Sequence, residues 1–223
     1  MNIDTNWAWS THLPLLKSLV EVAKPKVVVE LGTGMHSTPI FLNSGAERMI
    51  FIDNDKAWLD KVVSSNAINN QSKFIFHDLG KEIKINTFPN ELSKEKKDEI
   101  TKYYVELGNT IQTYSDSPKM LFVDHFTCAR AIAINTLFDK FDIIGYHDCE
   151  PAGIAWYGYY FNELLHQNYD HYLLKTSKSW TGCFVRKTVN IDNALHENII
   201  KHIDDYRIEN NIKSTSVIEL VKN

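Results

Sequence analysis

Short, nearly continuous apolar runs alternate along this chain with longer stretches whose apolar residues recur at helical spacing. "KPKVVVELG" (24–32) is such a run. Three consecutive valines disfavour a helix and suit a strand buried on both faces. "RMIFID" (48–53), "KFIFHD" (73–78), "KMLFVD" (119–124) and "FDIIGYHD" (141–148) read the same way. Between them, helices are predicted over 10–23, about 38–44, 55–67, 129–140 and about 154–167. Ser37 and Thr38 are capping residues, and Pro39 suits a first helical turn. "HYLLKTS" and "GCFVRK" follow as a strand pair around "KSWTG". Strand–helix alternation predicts a parallel sheet covered on both faces, and right-handed crossovers make it doubly wound. The last strand pair, with no helix between, predicts an antiparallel edge.

Two regions depart from this rhythm. Residues 80–118 separate the third and fourth strands by more than an ordinary crossover needs. Within them "ELSKEKKDEITKYYVELGNTIQTY" reads as the crossover helix with a solvated, charged face, and "KEIKINTFPN" as a local excursion before it. From about 190 the chain reads as a helix followed by a loosely specified tail. No internal repeat or low-complexity linker divides the sequence, so residues 1–223 read as one domain.

Composition narrows the function classes. The chain has 223 residues, 43% hydrophobic and 23% charged, with a formal net charge of −4. That balance carries no electrostatic footprint for nucleic acid or an anionic membrane. Cys128, Cys149 and Cys183 lack CxxC spacing, which points to free thiols in a reducing compartment. No secretory signal pattern opens the sequence, and no apolar stretch approaches the roughly 18 residues of a transmembrane helix. The expectation is a cytoplasmic protein.

The chemistry is expected at the carboxyl ends of the strands, where ligands of doubly wound sheets sit. After the first strand, Glu30-Leu31-Gly32-Thr33-Gly34 leads into a helix. The glycines let a backbone approach a ligand closely, and the helix offers free N–H groups. The third glycine of a dinucleotide turn is absent. Glu30 suits a ligand with an ammonium group better than a diphosphate. Asp53 ends the second strand, where a carboxylate can accept both hydroxyls of a ribose, and Asp78 ends the third.

With these residues in place, "VVVELGTG", "IFIDND" and "FIFHD" resemble the first three motifs of class I S-adenosylmethionine-dependent methyltransferases. The resemblance spans roughly 25–187. It implies a Rossmann-like seven-stranded sheet ending in a reversed hairpin. It also implies S-adenosylmethionine as cofactor, with Glu30, Gly32, Thr33 and Gly34 around the methionine part, Asp53 on the ribose and Asp78 on the adenine.

The acceptor side rests on the fourth and fifth strand ends, "FVDHF" and "GYHDCEP". His147 has the intrinsic pKa of a general base, and Asp124 or Asp148 can orient it. The plainer alternative is a helix-capping acid beside a histidine bonded to backbone. "FIDNDKAW…FVDHFTCARAIAI…IIGYHDCE" is similar to sugar O-methyltransferases of the glucuronoxylan type, which implies that Arg130 reaches a substrate carboxylate. "FVD…IGYHD" also looks like the metal-dependent catechol-type O-methyltransferases, which implies magnesium on Asp124 and Asp148. Cys149 there stands where that family has asparagine, and a thiol is a poor magnesium ligand, so the reading without a metal is preferred. Trp156, in "IAWYGYYF", can stack on an acceptor. His36 either caps the following helix or faces the acceptor. "NWAWSTH" is placed to act as a lid. The leading reading is methyl transfer to a hydroxyl of a small molecule or saccharide. The alternatives are a non-catalytic module that binds S-adenosylmethionine, and a nicotinamide-dependent oxidoreductase.

Overall fold

The computed structural model describes residues 10–212 and 218–222, with the side chains of 155–157 excepted. The parallel strands are β1 (Val27–Leu31), β2 (Arg48–Asp53), β3 (Ser72–Phe76), β4 (Lys119–Val123) and β5 (Ile143–His147). Three antiparallel strands follow: β6 (Tyr169–Thr176), β7 (Thr181–Arg186) and β8 (Ile218–Lys222). The order across the sheet is β3-β2-β1-β4-β5-β7-β6-β8. It is a mostly parallel, Rossmann-like α/β sheet with an antiparallel C-terminal side.

Burial explains the unbroken apolar runs. All five residues of β1 and of β5 are buried. Val27, Val29 and Leu31 join one core with Ile100, Tyr104, Leu107 and Ile111 of α4 (Lys94–Gln112) and Ala133, Ile134 and Leu137 of α5 (Thr127–Leu137). Val28 joins the other, with Leu15, Leu16 and Leu19 of α1 (Leu13–Ala23) and Leu195, Ile199 and Ile203 of α8 (Asp192–Glu209). Consecutive valines therefore point to opposite faces, and each face is covered.

The excursion at 80–118 does carry the crossover helix. Ser93 caps α4 by accepting a hydrogen bond from the Lys96 N–H, at 3.2 Å. The loop ahead of it is tied to α5 where the Thr127 hydroxyl donates to the Ile85 carbonyl, at 2.9 Å.

Three local expectations change. The helix expected over 154–167 is two, α6 (Pro151–Tyr157) and α7 (Glu163–Asn168). Gly158 at φ +63 takes the left-handed turn that ends α6. The tail after α8 is less loose than its sequence suggests, because β8 adds an eighth strand by pairing with β6. The first helix begins at Leu13, not Ser10, which frees Thr11 and His12 to face the sheet's end. The remaining helices, α2 (Ser37–Leu42) and α3 (Lys56–Ser65), fall where expected.

Candidate active site

Strand order reverses between β1 and β4, and the residues just beyond those strands form a continuous polar floor. Gly32 sits there at φ +90, and an added Cβ would lie 2.4 Å from the backbone of Asp124 and His125. Only glycine lets the β1 turn and the end of β4 lie so close. The Asp124 N–H donates to the Leu31 carbonyl at 2.7 Å, continuing the ladder past the strand ends.

The β1 turn is largely satisfied from within. Asp53 Oδ2 accepts from both the N–H and the hydroxyl of Thr33, each at 2.7 Å. Asp53 Oδ1 accepts from the Asp55 N–H at 2.9 Å. The Gly34 N–H donates to Thr38 Oγ1, whose hydroxyl donates to Glu30 Oε2 at 2.6 Å. Glu30 Oε1 is buried without a hydrogen-bond partner among the described residues. Burial pushes the Glu30 carboxyl up to about 8, against the lowering effect of the nearby Ser37 and Thr38 hydroxyls. Burial raises Asp53 as well.

Asp78 lies two residues beyond β3, is exposed, and accepts from the Gly80 N–H at 2.8 Å. It holds a turn in place, and its carboxylate faces water. Beside it His77 stacks on Tyr103, ring centroids 3.5 Å apart. His36 occupies the N-cap position of α2 without any side-chain cap bond and is exposed, so the capping alternative fails.

Across the floor, Asp124, His147, Asp148 and Arg130 form one network. Arg130 pairs through one terminal nitrogen with Asp124 Oδ1 at 3.0 Å and donates through the other to Asp148 Oδ2 at 2.9 Å. Its Nε donates to the His125 carbonyl at 2.6 Å. The expectation that Arg130 grips a substrate carboxylate is therefore corrected. α5 starts directly beneath both strand ends, so two carboxylates of the chain itself take both arms of the guanidinium. His147 Nδ1 lies 3.5 Å from Asp124 Oδ2 and 3.3 Å from Asp148 Oδ1. Burial lowers the pKa of His147, but the two carboxylates outweigh it and leave the imidazole above its ordinary value. Burial also opposes ionisation of Asp148, yet His147, Arg130 and the Ser179 hydroxyl hold it down at about 2. Asp148 adopts φ +56, a left-handed conformation that aspartate tolerates better than most residues.

The magnesium arrangement of the catechol-type resemblance does not fit these residues. Arg130 already neutralises Asp124 and Asp148, Cys149 is fully buried, and Glu150 Oε2 accepts from the Trp180 N–H at 3.3 Å. All three cysteines are free and buried.

Several contributors carried no sequence signal of their own. Thr11 Oγ1 lies 3.0 Å from His147 Nε2, and His12 packs edge-on against the His147 ring at 4.9 Å. The Ser179 hydroxyl donates to Asp148 Oδ1 at 2.8 Å from the β6–β7 turn. Tyr104 Oη and His125 Nε2 share a 2.5 Å hydrogen bond. A histidine next to a helix start, or a serine in a hairpin turn, has no spacing that marks it. Of the segment proposed as a lid, 6–9 lies outside the described residues, as does the side chain of Trp156.

No protein-family profile matches the chain, and no curated protein matches its sequence. Solved structures do resemble it. Spermidine synthase in complex with the transition state analogue AdoDATO has a TM-score of 0.54 at 9% identity, over 92% of this chain and 75% of that one. Spermidine synthase from Thermotoga maritima has a TM-score of 0.53 at 8% identity, over the same 92% and 75%. The N-methyltransferase NodS from Bradyrhizobium japonicum WM9 has a TM-score of 0.48 at 10% identity, over 82% of this chain and 98% of that one. What is shared is the fold. Among the described residues, no helix is long and apolar enough to cross a membrane.

Proposed function

We propose that this protein transfers a methyl group from S-adenosylmethionine to a hydroxyl of a small molecule or saccharide. The observation that carries the reading is His147, wedged between Asp124 and Asp148 at the carboxyl ends of β4 and β5 and beside the glycine turn of β1. S-adenosylmethionine supplies a methyl group on a sulfonium. The unpartnered Glu30 Oε1 fits an ammonium group, which would ionise a carboxyl that burial otherwise keeps protonated. Asp53 keeps lone pairs beyond its three internal bonds for a ribose hydroxyl.

Methyl transfer is an in-line displacement, so alignment supplies much of the rate and the base removes one proton. His147 takes that proton. Asp124 and Asp148 stabilise the imidazolium that results, and Arg130 fixes both carboxylates in position. His147 must be neutral to act, and its pKa is raised. Activity therefore climbs with pH through a limb above the ordinary histidine value and is lost below it.

Transfer of tritiated methyl groups to a panel of hydroxylated acceptors tests the assignment. His147→Asn should lower kcat by roughly 10²–10⁴-fold, the usual worth of a general base. Unchanged turnover in both His147→Asn and Asp148→Asn would remove the cluster from catalysis. Calorimetric binding of S-adenosylhomocysteine with no turnover on any acceptor would favour a binding module.

A further inference from the structure

His12 is the one member of the cluster that the proton-transfer chemistry leaves without a task. It is 4% exposed, and neither ring nitrogen has a hydrogen-bond partner among the described residues. Leaving a buried polar atom unpaired costs about 1–3 kcal/mol, so two such nitrogens on one ring call for an explanation. His12 precedes α1 in a helix-capping position but makes no cap bond. Its ring stands at 79° to that of His147. One ligand atom each from His12, Asp124 and His147 lies within 4.8 Å of the other two.

We propose that His12, Asp124 and His147 bind a divalent transition-metal ion of the zinc, cobalt or ferrous type. Two imidazoles and one carboxylate suit such ions, whereas magnesium prefers an all-oxygen set. This set differs from the Asp124–Asp148 arrangement excluded above. Asp124 can contribute Oδ2, because Arg130 engages Oδ1. His147 can contribute Nδ1, because Thr11 sits on Nε2. Each of these ligands thus has its other polar atom already anchored, as metal ligands ordinarily do. With Asp124 and Asp148 against Arg130, the cluster carries one net negative charge to offset the cation. As a neutral imidazole, His12 offers one ring-nitrogen lone pair to a cation. Cation and proton compete for His147 Nδ1. The loaded site therefore has no free base there, and binding tightens as pH rises.

Cobalt(II) titration of chelator-treated full-length protein tests the proposal. We expect one equivalent bound, a visible d–d absorption band, and one zinc per chain by elemental analysis after zinc loading and desalting. His12→Phe preserves the ring's bulk and removes both unpaired nitrogens, so it should remain folded by thermal melt while losing the band. Asp124→Asn should weaken cobalt binding at least tenfold. Substoichiometric binding by the wild type, or equal binding by wild type and His12→Phe, would overturn the site. S-adenosylhomocysteine binding, measured separately on chelated protein, reads the methyl-transfer proposal without bearing on the metal result.

Discussion

Glu30 and Asp148 are carboxyls at the ends of strands in the same sheet, and burial opposes the ionisation of both. Their acidities nevertheless move in opposite directions, Glu30 up to about 8 and Asp148 down to about 2. The difference lies in who answers them. Glu30 meets hydroxyls, with Asp53 and Asp124 adding further negative charge nearby. Asp148 meets an imidazole, a guanidinium and a serine hydroxyl. Burial decides the sign only where no cation reaches the group. One strand end leaves a buried carboxyl without a cation of the chain, and the other sets its carboxylate between an imidazole and a guanidinium.

Removing the cation is the largest way to break this contrast. Arg130→Met leaves two carboxylates without their shared partner and should cost roughly 3–5 kcal/mol, as loss of one member of a buried ion pair does. Urea unfolding at pH 7 measures it, and a loss below about 1 kcal/mol would show that Arg130 does not hold the site. Asp148 should then titrate higher, moving towards the behaviour of Glu30.

Glu30→Gln sharpens the comparison from the other side. A raised folded-state pKa means that the stabilising proton is fully bound below the ordinary glutamate value of about 4.5 and lost as pH rises through about 8. The wild type should therefore lose on the order of 3 kcal/mol relative to Glu30→Gln between pH 5 and pH 8, at about 1.36 kcal/mol per unit. Parallel pH–stability curves for the two proteins would contradict the assignment.

Gly32→Ala isolates the close approach of the two strand ends. The left-handed conformation alone should cost roughly 1–3 kcal/mol, and the 2.4 Å approach to Asp124 and His125 adds to it. Gly45→Ala is the control, since Gly45 has φ +74 with nothing within 4 Å of an added Cβ. Equal thermal shifts for the two variants would mean that the β4 contact contributes nothing.

The antiparallel side of the sheet shows a different limit of sequence reading. "HYLLKTS" and "GCFVRK" declared β6 and β7 by their own alternation and turn. β8 did not declare itself, because Ile218–Lys222 is only half-buried and takes its strand form from pairing with β6. Likewise the helix expected over about 154–167 is broken by Gly158, in a left-handed conformation.

By itself the sequence determined what is local: five parallel strands, the E-x-G-x-G turn, and acids placed at strand ends. Periodicity and backbone propensity are properties of neighbouring residues, so they can be read along the chain. The tertiary structure alone decided which charges meet. Arg130 and Asp148 are 18 positions apart, and Thr11 and His147 are 136 apart. No spacing rule links them. They come together because the sheet sets β4 beside β5 and α1 packs against that end, and the ionisation of each carboxyl follows from the partner that packing supplies.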